Sequence, residues 1–365
     1  MKIRASSSSR KSQGIALIIA LISIFILAGL AANFALSMKV ETKLAFNANN
    51  DDQMVWLGRS GVEYARWVLA QQAAISAEPY DSLNQKWAGG SGTMAESNSP
   101  MASISLDNVV VGDSSFSVKI IDCERKLNVN AADDPLIKQV LTQMGVDASQ
   151  QSIISDSILD WINPGDMPRM AGAKSDYYQA LPEPYYSKDA PIDDLSELLL
   201  IRGINDHKEI YWGGADPNGT GLTFQHQLGL GHAPNEIASY PFGLTNVFTA
   251  ISSGKLNINT ADANTLQCLP GMDQTSAEEL IKMRSGPDGV DGTEDDVPFR
   301  NPAQISQIGI NQAVVAQISR YLTVRSTTFE VDVTAQTGTA TKRYHAILLR
   351  ASPNDIRVVG FYCEE

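Results

Sequence analysis

The chain has 365 residues, with 41 acidic against 28 basic side chains, a formal net charge of −13 and four histidines. That length exceeds one typical domain, and the negative balance argues against nonspecific nucleic-acid binding, which relies on Lys and Arg neutralising phosphates. The charge also disfavours an anionic membrane surface as a partner for the bulk of the chain, and the absence of G-x-S-x-G, H-E-x-x-H and P-loop patterns argues against an enzyme.

Residues 1–14 carry Lys2, Arg4, Arg10 and Lys11 and no acid, and residues 15–38 follow with no charged side chain. As a helix the apolar run measures roughly 36 Å, enough for a hydrocarbon core of about 30 Å. The basic leader holds its end in the cytoplasm. The run is too long for a secretory h-region, and no A-x-A site follows it. Lys11-Ser12-Gln13-Gly14 directly before Ile15-Ala16-Leu17-Ile18-Ile19 resembles a type III prepilin signal. The resemblance implies cleavage after Gly14 by prepilin peptidase, methylation, and retention of the apolar helix from Ile15. Most pilin-like proteins have Phe at the first mature position and Glu at the fifth, where this chain has Ile15 and Ile19. Without that glutamate a neighbour's charged amino terminus stays unneutralised in the membrane, at a cost of at least a few kcal/mol. Such a subunit suits the end of a fibre, and the K-type minor pseudopilins of type II secretion systems share this departure.

Past the membrane, Val40, Leu44, Ala48, Val55, Gly58, Val62, Ala65 and Leu69 recur at steps of three, four and seven, the stripe of an amphipathic helix. Pro79 marks its end. One rod of about 90 Å from Ile15 to Ala77 is expected, and the first unit is set at residues 15–78. Gly58 and Gly61 each weaken a helix by about 1 kcal/mol relative to Ala; ordinary packing is the reading for both, with a bend as the alternative.

Residues 89–100 form a small-residue polar linker. Phe116, Val118 and Ile120 then alternate with Ser117 and Lys119, and Phe329, Val331 and Val333 alternate with Glu330, Asp332 and Thr334, as strands do. A turn at Thr337-Gly338-Thr339 leads into residues 344–349, and Ser352-Pro353-Asn354-Asp355 into residues 356–363. An isolated hairpin is marginal in water, so the early and late strands are expected to join in one sheet on the first helix. Everything at 127–321 is then an insertion. Of the three cysteines, Cys123 and Cys363 end strand-like segments and are the better-placed pair if a disulfide forms; unpaired buried thiols, Cys268 included, are the equal alternative.

The insertion contains an echo. Lys126-Leu127-Asn128-Val129-Asn130-Ala131-Ala132-Asp133 recurs as Lys255-Leu256-Asn257-Ile258-Asn259-Thr260-Ala261-Asp262, which points to two related helical modules. Asp134 and Pro135 read as N-cap and first helical residue. In the second module Leu266, Leu269 and Pro270-Gly271 precede Ala277, Leu280, Ile281 and Arg284 at helical spacing. This resembles a helix-hairpin-helix (SAM-like) unit, and membrane-anchored competence DNA receptors carry a similar segment. Their hairpins usually read G-I-G and place backbone N–H groups on a phosphate. Here the turn is Gly271-Met272-Asp273, followed by Glu278 and Glu279, so protein contact is expected and no nucleic acid.

In the first module Ile158-Leu159-Asp160-Trp161-Ile162-Asn163-Pro164-Gly165-Asp166-Met167-Pro168-Arg169 closely resembles the L-D-W-I-D-x-D-x-x-R segment of the K-type minor pseudopilins. So do Tyr177-Tyr178, Pro184-Tyr185, Lys188-Asp189-Ala190-Pro191 and Leu195-Ser196-Glu197-Leu198-Leu199-Leu200-Ile201-Arg202-Gly203. Asn163 stands where Asp is common, and residues 206–254 match less well. The resemblance implies an α+β fold, with a pilin-like long N-terminal helix on a small antiparallel sheet and a large, mainly α insertion. It divides the chain into a cleaved leader at 1–14, the helix at 15–78 and a pilin-like core at 79–126 and 323–365. The helical modules fall at 127–254 and 255–322. It implies a non-catalytic tip subunit of the pseudopilus, anchored in the inner membrane with its bulk in the periplasm. Its partners would be other minor pseudopilins, prepilin peptidase, the secreted substrate and the outer-membrane secretin. The competing classes are a competence-type DNA-binding protein and a minor pilin of a type IV pilus.

Residues 286–296 hold five carboxylates, Asp288, Asp291, Glu294, Asp295 and Asp296, among glycines. Several oxygens can converge there on a calcium ion, although the spacing departs from the EF-hand template. K-type pseudopilins bind calcium, and the resemblance makes these five the candidate ligands; a solvated acidic loop is the alternative. Residues 206–254, with Tyr211, Trp212, Phe224, Phe242, His226 and His232, read as an irregular surface insert serving as a contact region. The two histidines lack the further ligands that a zinc site needs.

Overall fold

The computed structural model describes residues 11–213 and 240–364, with the backbone alone at 11–14 and 46–49. His226, His232 and Phe224 lie outside the described residues. Nine helices are described: α1 (Lys11–Ala73), α2 (Asp134–Met144), α3 (Ala148–Ile162), α4 (Ser175–Gln179), α5 (Glu209–Trp212), α6 (Leu244–Val247), α7 (Ala263–Gln267), α8 (Gln274–Arg284) and α9 (Gln312–Ile318). The strands are β1 (Val109–Val111), β2 (Ser114–Asp122), β3 (Leu127–Asn128), β4 (Phe248–Thr249), β5 (Leu256–Asn257), β6 (Leu322–Thr323), β7 (Thr328–Thr337), β8 (Ala340–Ser352) and β9 (Asp355–Cys363).

Helix α1 is unbroken over 63 residues, a rod of about 90 Å. It ends at Ala73, earlier than the Ala77 expected from Pro79. The intervening amides close tighter turns, Ile75 N–H donating to Gln72 O and Glu78 N–H to Ile75 O. Five strands form one sheet in the order β1-β2-β7-β8-β9, all neighbours antiparallel. Strand β2 pairs with β7 from Ser114↔Thr337 to Asp122↔Phe329, so strands from either side of the insertion lie side by side.

One face of this sheet covers α1. Phe116, Val118, Ile120, Phe329, Val331, Val333, Tyr344 and Leu348 bury themselves against Met54, Leu57, Val62, Ala65, Val68 and Leu69. Gly58 and Gly61 let the helix come this close. A Cβ on Gly58 would sit 2.5 Å from the Tyr344 ring, and one on Gly61 would sit 2.4 Å from Val333 Cγ1. Both glycines pack against the sheet. The expected stripe is buried only where the sheet lies beneath it. Val40 and Leu44 are exposed, while Gly58, Val62, Ala65 and Leu69 are covered.

The insertion builds its own core, from Leu127 through Ile137, Ile158, Tyr178, Phe248, Leu256, Leu280 and Ile318 to Val324. Two parallel two-residue ladders, β3 with β4 and β5 with β6, hold it together, and they account for the echo. Asn128 Oδ1 accepts the Asn130 amide at 2.8 Å, and Asn257 Oδ1 accepts the Asn259 amide at 3.0 Å. Asn130 exchanges two hydrogen bonds with the Ile192 backbone (2.7 and 2.9 Å); Asn259 does the same with Phe299 (2.8 and 2.9 Å). Asp133 and Asp262 then cap α2 and α7. The N-cap of α2 is thus Asp133, one residue before the expected Asp134, and Pro135 is the second helical residue. Asp133 takes the cap because its carboxylate accepts the Leu136 N–H at 3.2 Å.

The described parts of residues 206–254, at 206–213 and 240–254, are less irregular than expected. Ile210, Tyr211, Phe242, Leu244, Val247 and Phe248 belong to the insertion core, because their apolar side chains close it beneath β3. Cys123 and Cys363 do not pair. Cys123 follows β2, Cys363 ends β9, and β7 and β8 stand between those strands. Cys268 is a free buried thiol.

Overpacking a well-filled interface costs about 1–3 kcal/mol, more than the roughly 1 kcal/mol that a helical glycine replacement returns. Gly61→Leu is therefore expected to lower the stability of the chain by roughly 1–3 kcal/mol, measured as a lower urea midpoint. An unchanged midpoint would contradict the close helix–sheet contact.

Candidate functional site

Three buried acids and one buried arginine join the turn after α1, the sheet and the second helical module. Asp122 closes β2. Its Oδ2 accepts from the Ser326 hydroxyl (2.6 Å), the Thr260 hydroxyl (2.6 Å) and Asn257 Nδ2 (3.0 Å), and its Oδ1 accepts the Glu124 amide at 2.8 Å. Asp81, in the turn after α1, accepts the Ser326 amide at 2.8 Å and pairs with Arg350 of β8. Glu124 accepts from the Ser253 amide, the Thr327 hydroxyl and the Thr328 amide at 2.9–3.1 Å. Arg350 also donates to Ser326 O at 2.6 Å and lies over the Phe329 ring. Its Nη1 has no partner among the described residues. One cation does not balance three buried carboxylates. Burial, with Glu124 beside it, pushes the Asp122 carboxyl up to about 7 despite its hydroxyl donors. Of this group, only Asn257 and Thr260 belonged to a recognisable sequence pattern, the echo.

The L-D-W segment serves as a second fastening. Asp160 and Asp156 share one face of α3 and grip the loop that follows. Asp160 Oδ2 accepts the Arg169 amide at 2.9 Å, and Asp156 Oδ2 accepts the Ala171 amide at 3.0 Å. A Cβ on Gly172 would sit 1.9 Å from Asp160 Oδ2, so this turn requires glycine. Lys174 Nζ donates to Asp160 O, Asn163 O and Asp189 Oδ1, all at 2.6 Å. Trp161 Nε1 donates to Glu197 at 3.2 Å. Burial raises the Asp160 carboxyl above the usual carboxylate range. These acids hold backbone, which leaves none of them free as an acid–base pair.

The five loop carboxylates have distinct surroundings. Asp291 accepts from Arg284 Nε (3.0 Å) and Nη2 (2.6 Å), while Arg284 Nη1 donates to Ile258 O and Ala261 O. Asp291 thereby ties the loop to the echo strand. Asp295 faces the Thr293 hydroxyl at 2.8 Å, which lowers its pKa. Asp296 accepts the Gly292 amide at 2.8 Å and lies 3.2 Å from the Thr293 hydroxyl; burial raises its pKa. Asp288 accepts the Val290 amide, and Glu294 is exposed. All-oxygen donors in a glycine-rich loop suit calcium chemistry. Asp295 and Asp296 already flank one hydroxyl, whereas Asp291 is committed to Arg284.

Among the described residues, the three ligand-type side chains that come within 4.8 Å of one another are Glu330, Asp332 and His345. Strand alternation places the first two on one face, but the third needs the β7–β8 register. At the Gly271-Met272-Asp273 turn, Met272 is buried and Asp273 caps α8 through the Ser276 amide at 2.8 Å. At the other end, Gly14 and Ile15 lie in the first turns of α1, and the helix from Ile15 is long and apolar enough to cross a membrane, with none of its apolar window covered.

A family model described as type II secretion system (T2SS), protein K, matches residues 106–208. The putative type II secretion system protein K of Escherichia coli K12 is 24% identical over 212 residues, 54% of this chain and 60% of that protein. The type II secretion system protein K of Pectobacterium carotovorum is 30% identical over 70 residues, 19% of this chain and 21% of that one. The chain thus spans less than two thirds of the length of these relatives. Its fold is similar to that of a chain in the crystal structure of the GspK–GspI–GspJ complex from the type 2 secretion system of enterotoxigenic Escherichia coli. The TM-score is 0.59 at 15% identity, covering 87% of this chain and 98% of that one.

Residues 106–208 of the chain are similar to the type II secretion system protein K family. The K-family match begins before β2 and ends after the Leu195–Leu200 turn. It therefore contains Asp122, Glu124 and the whole α3 fastening. The matched residues include the acids that tie the sheet to the second module and those that hold the loop after α3.

Asp122 carries a pH signature. Its folded pKa, about 7, lies above the unfolded value of about 3.9. Its contribution to stability is therefore fully present below about pH 4 and is lost as pH rises through about 7. The stability of the wild type minus that of Asp122→Asn, from denaturant melts at pH 4 to 7, should fall steadily with rising pH. A difference independent of pH would contradict the buried, acid-crowded carboxyl.

Proposed function

We propose that this protein is a minor pseudopilin that sits at the tip of the pseudopilus, helps to initiate its assembly and supports export across the outer membrane without chemistry of its own. The observation that carries the reading is α1. Its exposed apolar half runs without a break into the half packed under the sheet, so whatever holds the stalk in a membrane also sets the height of the head. Prepilin peptidase cuts after Gly14, and Ile15 becomes the mature terminus in the inner membrane, with the bulk in the periplasm.

Other minor pseudopilins pack beside α1. Val40, Leu44 and Trp56 are exposed on the rod beyond the apolar run, which supports sideways association of helices. The related complex with GspI and GspJ supports partners of that class. Ile19 in place of a glutamate supports an end position, because nothing there neutralises a neighbouring terminus. The two insertion modules, which we read as helix-hairpin-helix (SAM-like) units, form the bulk above the sheet that meets secreted substrate and the secretin.

Calcium is proposed to bind the loop through Asp288, Glu294, Asp295 and Asp296. Asp291 acts through Arg284, and the ion neutralises like charges that otherwise repel. Millimolar calcium is expected to raise the melting temperature by a few degrees, as ligand linkage requires, and Asp295→Asn with Asp296→Asn should abolish the shift. No shift in the wild type would remove calcium from the account.

The assembly reading is tested in the native envelope. Mass spectrometry of the mature chain should find Ile15 at the amino terminus, and affinity purification should recover other minor pseudopilins. A chain that keeps Met1, or one that purifies without them, would sink it.

A further inference from the structure

The face of the sheet turned away from α1 carries a cluster that the assembly role does not use. Glu330 and Asp332 are two apart on β7, so their side chains leave the same face. His345 on β8 is the register partner of Asp332. One ligand atom of each lies within 4.8 Å of the other two, and all three residues are half-buried. His345 Nδ1 is 2.6 Å from Asp332 Oδ1, while its Nε2 faces the Glu364 carboxylate at 3.7 Å. Tyr362, opposite His345 across the β8–β9 ladder, stacks on the imidazole with centroids 5.3 Å apart and planes at 22°. The ring is therefore held on one face and at Nδ1, with the Glu364 carboxylate near its other edge. Lys119 stands opposite Asp332 on β2 but is exposed, and among the described residues it forms no ion pair with either acid.

We infer that Glu330, Asp332 and His345 bind a divalent transition metal of the zinc class. One imidazole nitrogen with two carboxylate oxygens suits zinc, which accepts mixed N and O donors and leaves a fourth position to water. Calcium prefers six to eight oxygens. A histidine that ligates through one nitrogen and directs its other N–H at a carboxylate is the arrangement that fixes tautomer and raises ligand basicity; Glu364 stands in that place. The ion links β7 to β8 and, through His345, to the residues after β9. The site is separate from the acidic loop at 286–296, whose donors are all oxygen.

The test uses the full chain in detergent, stripped of metal and held in 1 mM calcium, titrated calorimetrically with zinc chloride at pH 7.5. One saturable ion per chain is expected. His345→Gln and Glu330→Gln, each checked for native circular dichroism, should weaken zinc at least tenfold, while Asp295→Asn with Asp296→Asn leaves it unchanged. Anomalous scattering at the zinc edge from the wild type should place the ion between Glu330, Asp332 and His345, which decides the matter even if a variant fails to fold. No saturable uptake, unchanged affinity in either folded variant, or an ion located elsewhere would overturn the site.

Discussion

The structure depends on the carboxylate of Asp122 at the end of β2. It gathers hydroxyl and amide donors from the second module and from the segment leading into β7, while Asp81 and Arg350 bring in the turn after α1 and the far side of the sheet. Buried ionic groups are a weak source of net stability but a strong source of uniqueness, because every competing arrangement leaves a charge unpaired. Here they define one way for three distant pieces of chain to meet. The cost of that definition appears in the Asp122 carboxyl itself, which holds its proton to about pH 7.

The second constraint is the closeness of α1 to the sheet. Two glycines remove the side chains that would hold Tyr344 and Val333 away, so a helix that is apolar and exposed at one end becomes the central element of a packed core at the other. The Asp122 cluster and the close helix–sheet contact together join the rod to the head. Joined in this way, the chain suits the proposed role of a subunit that acts by position.

Much of this was legible because periodicity and repetition are local. The uncharged run, the strand alternation at Phe116 and Phe329, and the paired Lys-Leu-Asn motifs each required a few neighbouring residues, and each reappears as helix, sheet or twin ladder. What was not legible depends on partners distant in sequence. Val40 and Leu44 share the phase of Val62, yet the sheet simply does not reach them. Met54, Leu57 and Val68 are buried because the sheet is wider than a single stripe. Cys123 follows one strand and Cys363 ends another, but only the strand order shows that two other strands separate them. The acidic loop was recognisable by density of charge, whereas the commitment of Asp291 to Arg284 was not. Glu330, Asp332 and His345 needed a cross-strand register that no motif encodes.

The central claim is that stalk, sheet and insertion move as one unit. It is tested most directly by double electron–electron resonance on the full chain in a bilayer, with spin labels at Ser60→Cys on α1 and Glu278→Cys on α8 and the native cysteines replaced by alanine. A single narrow distance distribution is predicted. A broad or multiple distribution would show that the head swings on the rod, and would contradict the account.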